Sequence, residues 1–316
     1  MTQDIYLMDS FSFNLITVLG PTATGKTCFA AKLADRLNGE IISADSRQVY
    51  KRMDIGTGKD YNDYIVAGKS IPVHLIDIVE PGYEYNVFEY QSDFVKVYNE
   101  ISSRGKIPVL CGGSGLYLEA VLKGYRLINV PVHETLRMEL EKKSMEEMAA
   151  MLRSFKTVHN ISDLVTRKRL VRAIEIESFY LENPDFRQDY PDLKPFIIGI
   201  SCDRESRRER ITKRLIQRLN NGMIEEAERL IRDGISLEKM MYYGLEYKYI
   251  ALFLKGELTY DEMFTDLNVA IHQFAKRQMT WFRRMERNGM KIHWIDANQA
   301  DEHKLNKTLE LLQNVH

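Results

Sequence analysis

Apolar residues in the first third of the chain fall into short runs separated by longer segments with helical spacing. Residues 15–19 form a continuous apolar run that suits a buried strand, and the segment from Lys26 to about Leu37 carries its apolar positions at helical intervals. Residues 40–43 and 73–79 read as further strands, residues 87–103 as a helix and residues 107–111 as another strand. Alternation of this kind predicts parallel strands joined by right-handed helical crossovers, with ligands at the carboxyl ends of the strands. From about Gly124 to Pro195 the β pattern fades, and helical patterns over residues 136–153 and 164–181 take its place. Residues 196–200 restore a β run, so the chain is expected to return to the original sheet. The last third reads as mostly helical, with Leu267, Ile271, Phe274, Met279, Phe282 and Met285 near helical spacing. The predicted fold class is therefore α/β: a parallel sheet flanked by helices over residues 1–124 and 196–316, plus a helical insertion domain over residues 125–195.

Chemistry enters at the end of the first strand. Gly20-Pro21-Thr22-Ala23-Thr24-Gly25-Lys26-Thr27 is a complete G-x-x-x-x-G-K-T phosphate loop placed between a predicted strand and a predicted helix, which makes the α/β core P-loop NTPase-like. Glycines let successive N–H groups turn inward, and the positive end of the following helix adds to a bound phosphate. Lys26 supplies a cation and the Thr27 hydroxyl a ligand for a magnesium ion. At the end of the second strand, Ser43-Ala44-Asp45-Ser46-Arg47-Gln48 sets a carboxylate beside this site, where Asp45 suits both a helix cap and a catalytic base. His74 and Asp77 sit at a further strand end, with a turn role as the simpler alternative to a metal or loop contact. Cys111-Gly112-Gly113-Ser114-Gly115 is a second glycine-rich strand-to-helix turn, read either as the approach of a ligand or as a tight loop.

Charge changes the picture only locally. The 44 basic and 45 acidic residues nearly cancel, so no global field draws the chain to nucleic acid. Arg207, Arg210, Arg214 and Arg218 nevertheless recur at helical spacing beside Ile211, Leu215 and Leu219, although Glu205 and Glu209 make a solvated, salt-bridged face the simpler reading. Arg167, Lys168, Arg169 and Arg172 form a second basic cluster. Lys276-Arg277-Gln278 with Trp281, Arg283 and Arg284 forms a third, in which basic and aromatic residues interleave as on RNA surfaces. Three scattered cysteines, Cys28, Cys111 and Cys202, argue against a zinc finger and a disulfide framework and fit a reduced, cytoplasmic setting. Neither a membrane-spanning apolar run nor a secretory leader is evident, so a cytoplasmic, soluble chain is expected.

Taken together, Gly20 to Thr27, Asp45-Ser46, the stretch from Tyr50 through Met53-Asp54-Ile55-Gly56-Thr57, His74 to Asp77, Gly112 to Tyr117 and Ala275 to Trp281 resemble the bacterial tRNA dimethylallyltransferases. The resemblance runs from about Asn14 to Asp296. It implies transfer of a dimethylallyl group from dimethylallyl diphosphate to the exocyclic N6 amine of the adenine 3′ of the tRNA anticodon, with pyrophosphate released. By the same matching, Gly20, Pro21, Thr22, Ala23, Thr24, Gly25, Lys26 and Thr27 would hold the diphosphate, with Mg2+ at Thr27. Lys26, Thr24, Arg214 and Asp45 would be catalytic, Asp45 as the proton acceptor of the amine. Contacts to the tRNA anticodon stem-loop would come from Asp45, Ser46, Arg47, Gln48, Ser114, Arg137, Lys168, Arg169, Leu170, Val171 and Arg172. A monomer is the expected assembly, and the lack of a zinc-finger extension fits the bacterial branch.

The chain departs from the family pattern at four places: a lengthened stretch between His159 and Arg169, Ser114 for threonine, His272 for arginine, and the segment Tyr243-Gly244-Leu245-Glu246-Tyr247-Lys248. Three alternatives share parts of this constellation: an adenylate isopentenyltransferase, an ATP-binding small-molecule kinase, and an RNA-binding adaptor with a vestigial loop.

Overall fold

The computed structural model describes residues 12–127, 130–155, 164–183 and 189–314. Packing divides the chain into two units, Met1–Tyr125 with Pro191–His316, and Arg126–Tyr190.

The first unit is built on six parallel strands. In chain order its elements are β1 (Leu15–Leu19), α1 (Lys26–Arg36), β2 (Gly39–Ala44), a small hairpin of β3 (Ile65–Val66) and β4 (Lys69–Ser70), β5 (Val73–His74), α2 (Val87–Ser103), β6 (Ile107–Gly112) and α3 (Gly115–Leu122). After the second unit come β7 (Pro195–Ser201), α7 (Arg204–Asn220), α8 (Met223–Arg232), α9 (Leu237–Met240), α10 (Leu245–Leu254), α11 (Tyr260–Arg287), β8 (Ile292–Asp296) and α12 (Asp301–Gln313). The sheet order is β5-β2-β6-β1-β7-β8. Register is fixed by pairs such as Ile16 with Val109 and with Phe196, and Ile197 with Ile292.

Both faces of the sheet are covered, which explains why the central strands β1, β6 and β7 read as mostly apolar runs. Leu15 and Leu19 point into one core with residues of α2, α3, α7, α10 and α11, while Ile16 and Val18 point into another with α1 and α12. Alternation of side chains across the strand places neighbours in different cores.

Several expected boundaries shift. The strand expected over residues 73–79 pairs with β2 only at Val73–His74, because Leu75 and Asp77 take φ of 60° and 55° and turn the chain; contact with the sheet side resumes as a single bridge from Val79 to Tyr50. β8 was not anticipated. It has only five residues, two of them fully apolar and buried, and follows a 28-residue helix whose amphipathic pattern masks it.

The second unit is helical: α4 (Glu134–Glu141), α5 (Met145–Phe155) and α6 (Arg167–Glu182) enclose Leu140, Met148, Leu152, Leu170, Ala173 and Ile174. The single helical pattern over residues 136–153 is two helices. Ser144 and Glu147 explain the break: the Glu147 N–H donates to Ser144 Oγ at 3.2 Å and the Ser144 N–H to Glu147 Oε2 at 2.7 Å, a reciprocal cap that starts a new helix. The lengthened stretch after His159 lies partly outside the described residues.

Candidate active site

Loops at the carboxyl ends of β1, β2 and β6 meet α7, α10 and α11 around a cavity of about 390 Å³, lined among others by Lys26, Asp45, Ser114, Arg214, Glu246 and Gln278. Every element that shapes it belongs to the first unit.

The phosphate loop is tightly seated. A Cβ on Gly20 would lie 2.4 Å from the Ile200 carbonyl oxygen, so the loop can pass β7 only as glycine, and Gly25 turns into α1 with φ of 74°. No side chain caps α1, which leaves its first-turn N–H groups to an anion. Burial pushes the pKa of the Lys26 ammonium down; Arg214 and Arg218 push the same way, against Cys111 and Asp45. A bound anion would supply the negative charge this corner is short of. Arg214 reaches the loop itself, with Nη1 3.5 Å from Thr22 Oγ1.

Asp45 follows the last residue of β2, and its Oδ1 accepts the Arg47 N–H at 2.9 Å. That short turn fixes the carboxylate on the cavity wall. Ser114 ties the two βα loops together: its Oγ accepts the Ser46 N–H at 3.0 Å, and its own N–H donates to the Ala44 carbonyl at 3.2 Å. The Arg47 guanidinium lies 4.9 Å from the centre of the half-exposed Tyr242 ring.

The turn at Asp54–Gly58 forms another part of the wall and is held from behind by buried Glu226. Its Oε2 accepts the N–H groups of Asp54 and Ile55, and its Oε1 accepts that of Gly56, all at 2.9 Å; Tyr247 donates its hydroxyl to the same carboxylate at 2.6 Å. Gln48 Nε2 donates to the Gly58 carbonyl at 2.9 Å from the other side. Lys59, with a buried side chain, pairs with Asp54 at 2.9 Å and with Asp77, so Asp77 anchors this turn.

The sequence model described as IPP transferase matches residues 48–285, and one described as isopentenyl transferase matches residues 13–80. The chain belongs to the IPP transferase family. It is 60% identical over 294 residues to tRNA dimethylallyltransferase 2 of Bacteroides fragilis, covering 93% of this chain and 96% of that relative. It is 55% identical over 303 residues to tRNA dimethylallyltransferase 1 of Parabacteroides distasonis, covering 96% and 99%. The crystal structure of the tRNA isopentenylpyrophosphate transferase of Bacillus halodurans matches with a TM-score of 0.70 at 32% identity, over 95% of both chains. A eukaryotic dimethylallyltransferase acting on tRNA, at 20% identity and a TM-score of 0.78, shares the fold over 96% of this chain and 81% of its own.

Within this IPP transferase fold, Lys26, Thr27, Asp45, Ser46, Arg47, Gln48, Ser114 and Arg214 all line one cavity. Thr24 does not. It is buried beneath the loop, where its hydroxyl donates to the Pro21 carbonyl at 2.9 Å and locks the turn, while Thr22 lines the cavity. The glycines after Cys111 answer to the protein's own packing. A Cβ on Gly112 would meet the Ala44 carbonyl oxygen at 2.2 Å, one on Gly113 Gln278 Nε2 at 2.5 Å, and one on Gly115 the Trp281 ring at 2.4 Å. Arg214 and Arg218 are not a solvated face paired to Glu205 and Glu209, since both line the cavity and pair with Asp60.

In the second unit, Lys168 and Arg169 are exposed at the start of α6. The Leu170 side chain is fully buried in the helical core, and the partly buried Val171 packs against that core. Arg137 Nε and Nη2 hold Glu175 at 2.7 and 3.0 Å, and Arg172 Nη1 holds it at 3.0 Å. Residues that sequence reasoning left without a role include Asp60, Asp63, Arg218, Glu226, Tyr242, Phe274 and Gln278. Gln278 and Arg218 lay within segments already singled out, but nothing in a linear pattern says which face of a helix meets a loop 60 or more residues away.

Proposed function

We propose that this chain transfers a dimethylallyl group from dimethylallyl diphosphate to the N6 amine of the adenine 3′ of a tRNA anticodon. One observation carries the reading: Lys26, Arg214 and the open end of α1 lie in the same cavity as the Asp45 carboxylate. A phosphate cradle facing a fixed carboxylate suits an alkyl transfer from a diphosphate to an N–H nucleophile. The names of the relatives, tRNA dimethylallyltransferases at up to 60% identity, support tRNA as the acceptor and a dimethylallyl group as what is transferred, and the phosphate cradle supports a diphosphate donor.

The chemistry follows from charge. The bond from C1 of the donor to the diphosphate oxygen breaks with its electron pair going to pyrophosphate, whose growing charge is drawn by Lys26, the loop N–H groups and Arg214. Such contacts strengthen in the transition state and so lower the barrier. The N6 lone pair forms the new bond to C1, and the N6 proton passes to Asp45. Adenine has to leave its stack to reach a cavity of this kind, which suits an unpaired loop.

Magnesium fits the donor set. Thr27 on the first turn of α1 and the carboxylates of Asp45 and Asp63 line the cavity, and among the described residues no cluster of three or more His, Cys, Asp or Glu side chains forms a protein cage. Such a site suits an ion held by one hydroxyl and the diphosphate oxygens. When bound, the ion would spread leaving-group charge. Burial and the neighbouring Asp60 push the Asp63 carboxyl pKa up, and a cation there would reverse that tendency.

The test is transfer of label from dimethylallyl diphosphate to a defined anticodon stem-loop, followed by nucleoside mass analysis. Prenylated adenosine in the stem-loop, with little ATP hydrolysis, is expected. Preference for free AMP, or rapid ATP turnover without prenylation, overturns the assignment.

A further inference from the structure

Arg218 lies one helical turn beyond Arg214 on α7, so both project from one face of the helix. Their guanidinium groups close over the same glycine: a Cβ on Gly58 would sit 2.0 Å from Arg218 Nη2 and 2.3 Å from Arg214 Nη2. Only 11% of the Arg218 side chain reaches solvent. One carboxylate serves both groups, with Asp60 Oδ2 at 3.5 Å from Arg218 Nη2 and 3.7 Å from Arg214 Nη2. These are loose contacts. Arg218 Nη2 and Arg214 Nε are buried without a hydrogen-bond partner.

A guanidinium that only filled space would be expected to bond to nearby carbonyls, as Arg167 Nη2 does to those of Leu140, Glu141 and Lys143 at 2.7 to 2.9 Å. Arg218 has no such bonds and instead lines the cavity shared by Lys26 and the phosphate loop. Burial and the neighbouring Arg214 push its pKa down to about 10, against the pull of Glu246 and Asp60. Glu246 is a poor counterion, because burial pushes its own carboxyl pKa up. Two guanidinium groups, each with one buried unfilled donor, one shared carboxylate at long range and an ammonium nearby make a corner short of anionic charge.

We propose that Arg218 is a second guanidinium ligand for the donor diphosphate, working beside Arg214, and that Asp60 is a placeholder anion which the diphosphate displaces. The inference rests on the diphosphate reading of the cavity. A diphosphate carries enough oxygens to accept from Lys26, the loop N–H groups and two guanidinium forks together, and its terminal phosphate gains charge as the ester bond breaks. Asp60, more than half exposed, returns to water when displaced.

Calorimetric titration with inorganic pyrophosphate tests this on the full chain. Arg218→Gln is expected to weaken binding about tenfold or more, and Arg218→Lys to recover part of the loss. Asp60→Asn is expected to tighten binding several-fold, an effect of opposite sign that a general loss of structure cannot produce. In single-turnover prenyl transfer, Arg218→Gln is expected to slow the step while the KM for RNA stays near that of the wild type. Wild-type binding with Arg218→Gln within twofold of it, or an unchanged or weakened Asp60→Asn, overturns this inference alone. Failure of the wild type to bind pyrophosphate overturns the diphosphate reading together with it.

Discussion

Gln278 accepts the backbone N–H of Thr22 at Oε1, 2.9 Å away across 256 residues of sequence. The same side chain donates Nε2 to the Gly113 carbonyl at 2.9 Å, so one buried amide on α11 clamps the phosphate loop to the glycine-rich turn after β6. Both partners fix the orientation of the amide, since one is a donor and the other an acceptor.

Replacing this amide with a hydrocarbon leaves two backbone groups unpaired. Gln278→Leu is expected to destabilise the fold by about 2–6 kcal/mol, from roughly 1–3 kcal/mol for each of the two groups left unsatisfied, and to raise the KM for the diphosphate donor. Denaturant unfolding with donor kinetics checks it. Full stability together with a normal KM contradicts the clamp.

Asp45 is placed by its bond to the Arg47 N–H, a bond that an amide oxygen can also accept. Asp45→Asn therefore keeps the turn and removes the base. Single-turnover prenyl transfer is expected to slow by about 10²–10⁴-fold, with pyrophosphate affinity changed little. A near-normal rate refutes a proton-accepting role.

Lys26 carries a pKa lowered by burial in the free protein, and a bound diphosphate would raise it. Binding then takes up a proton, and affinity should weaken as pH rises through the free-protein pKa, below the ordinary 10.5. Lys26→Arg keeps the charge and removes that titration. Pyrophosphate's own ionisation is common to both proteins, so a difference in slope on the alkaline side isolates Lys26; identical slopes count against it.

Glu175 anchors the helical unit. Burial pushes its carboxyl up, but hydrogen bonds from Arg137, the His133 N–H and Arg172 outweigh it and hold the pKa to about 2, below the ordinary 4.5. A depressed carboxyl contributes stability above its unfolded pKa and loses it as pH falls through the folded one. The contribution, on the order of 3 kcal/mol from the size of the shift, should therefore disappear between pH 4.5 and about 2. Acid unfolding of the helical unit followed by NMR tests this, and Glu175→Gln should flatten the response in that range.

The amino-acid sequence alone determined the parallel-sheet core, the phosphate loop between β1 and α1, Asp45 at a strand end and the resemblance to a prenyltransferase family. These are local: buried strands read as apolar runs, and a phosphate loop is a contiguous set of backbone N–H groups with one lysine. β8 escaped because five residues with two buried aliphatics carry too little period to stand out beside α11. Thr24 and Thr22, two residues apart, could not be told apart until the loop's curl sent one hydroxyl inward and left the other on the cavity wall. Only the tertiary structure decided that Gln278 clamps two loops, that Glu226 holds the Asp54–Gly56 turn and that Arg214 and Arg218 meet over Gly58. Each joins segments more than 150 residues apart, and a helical stripe records which residues share a face but not what that face will meet.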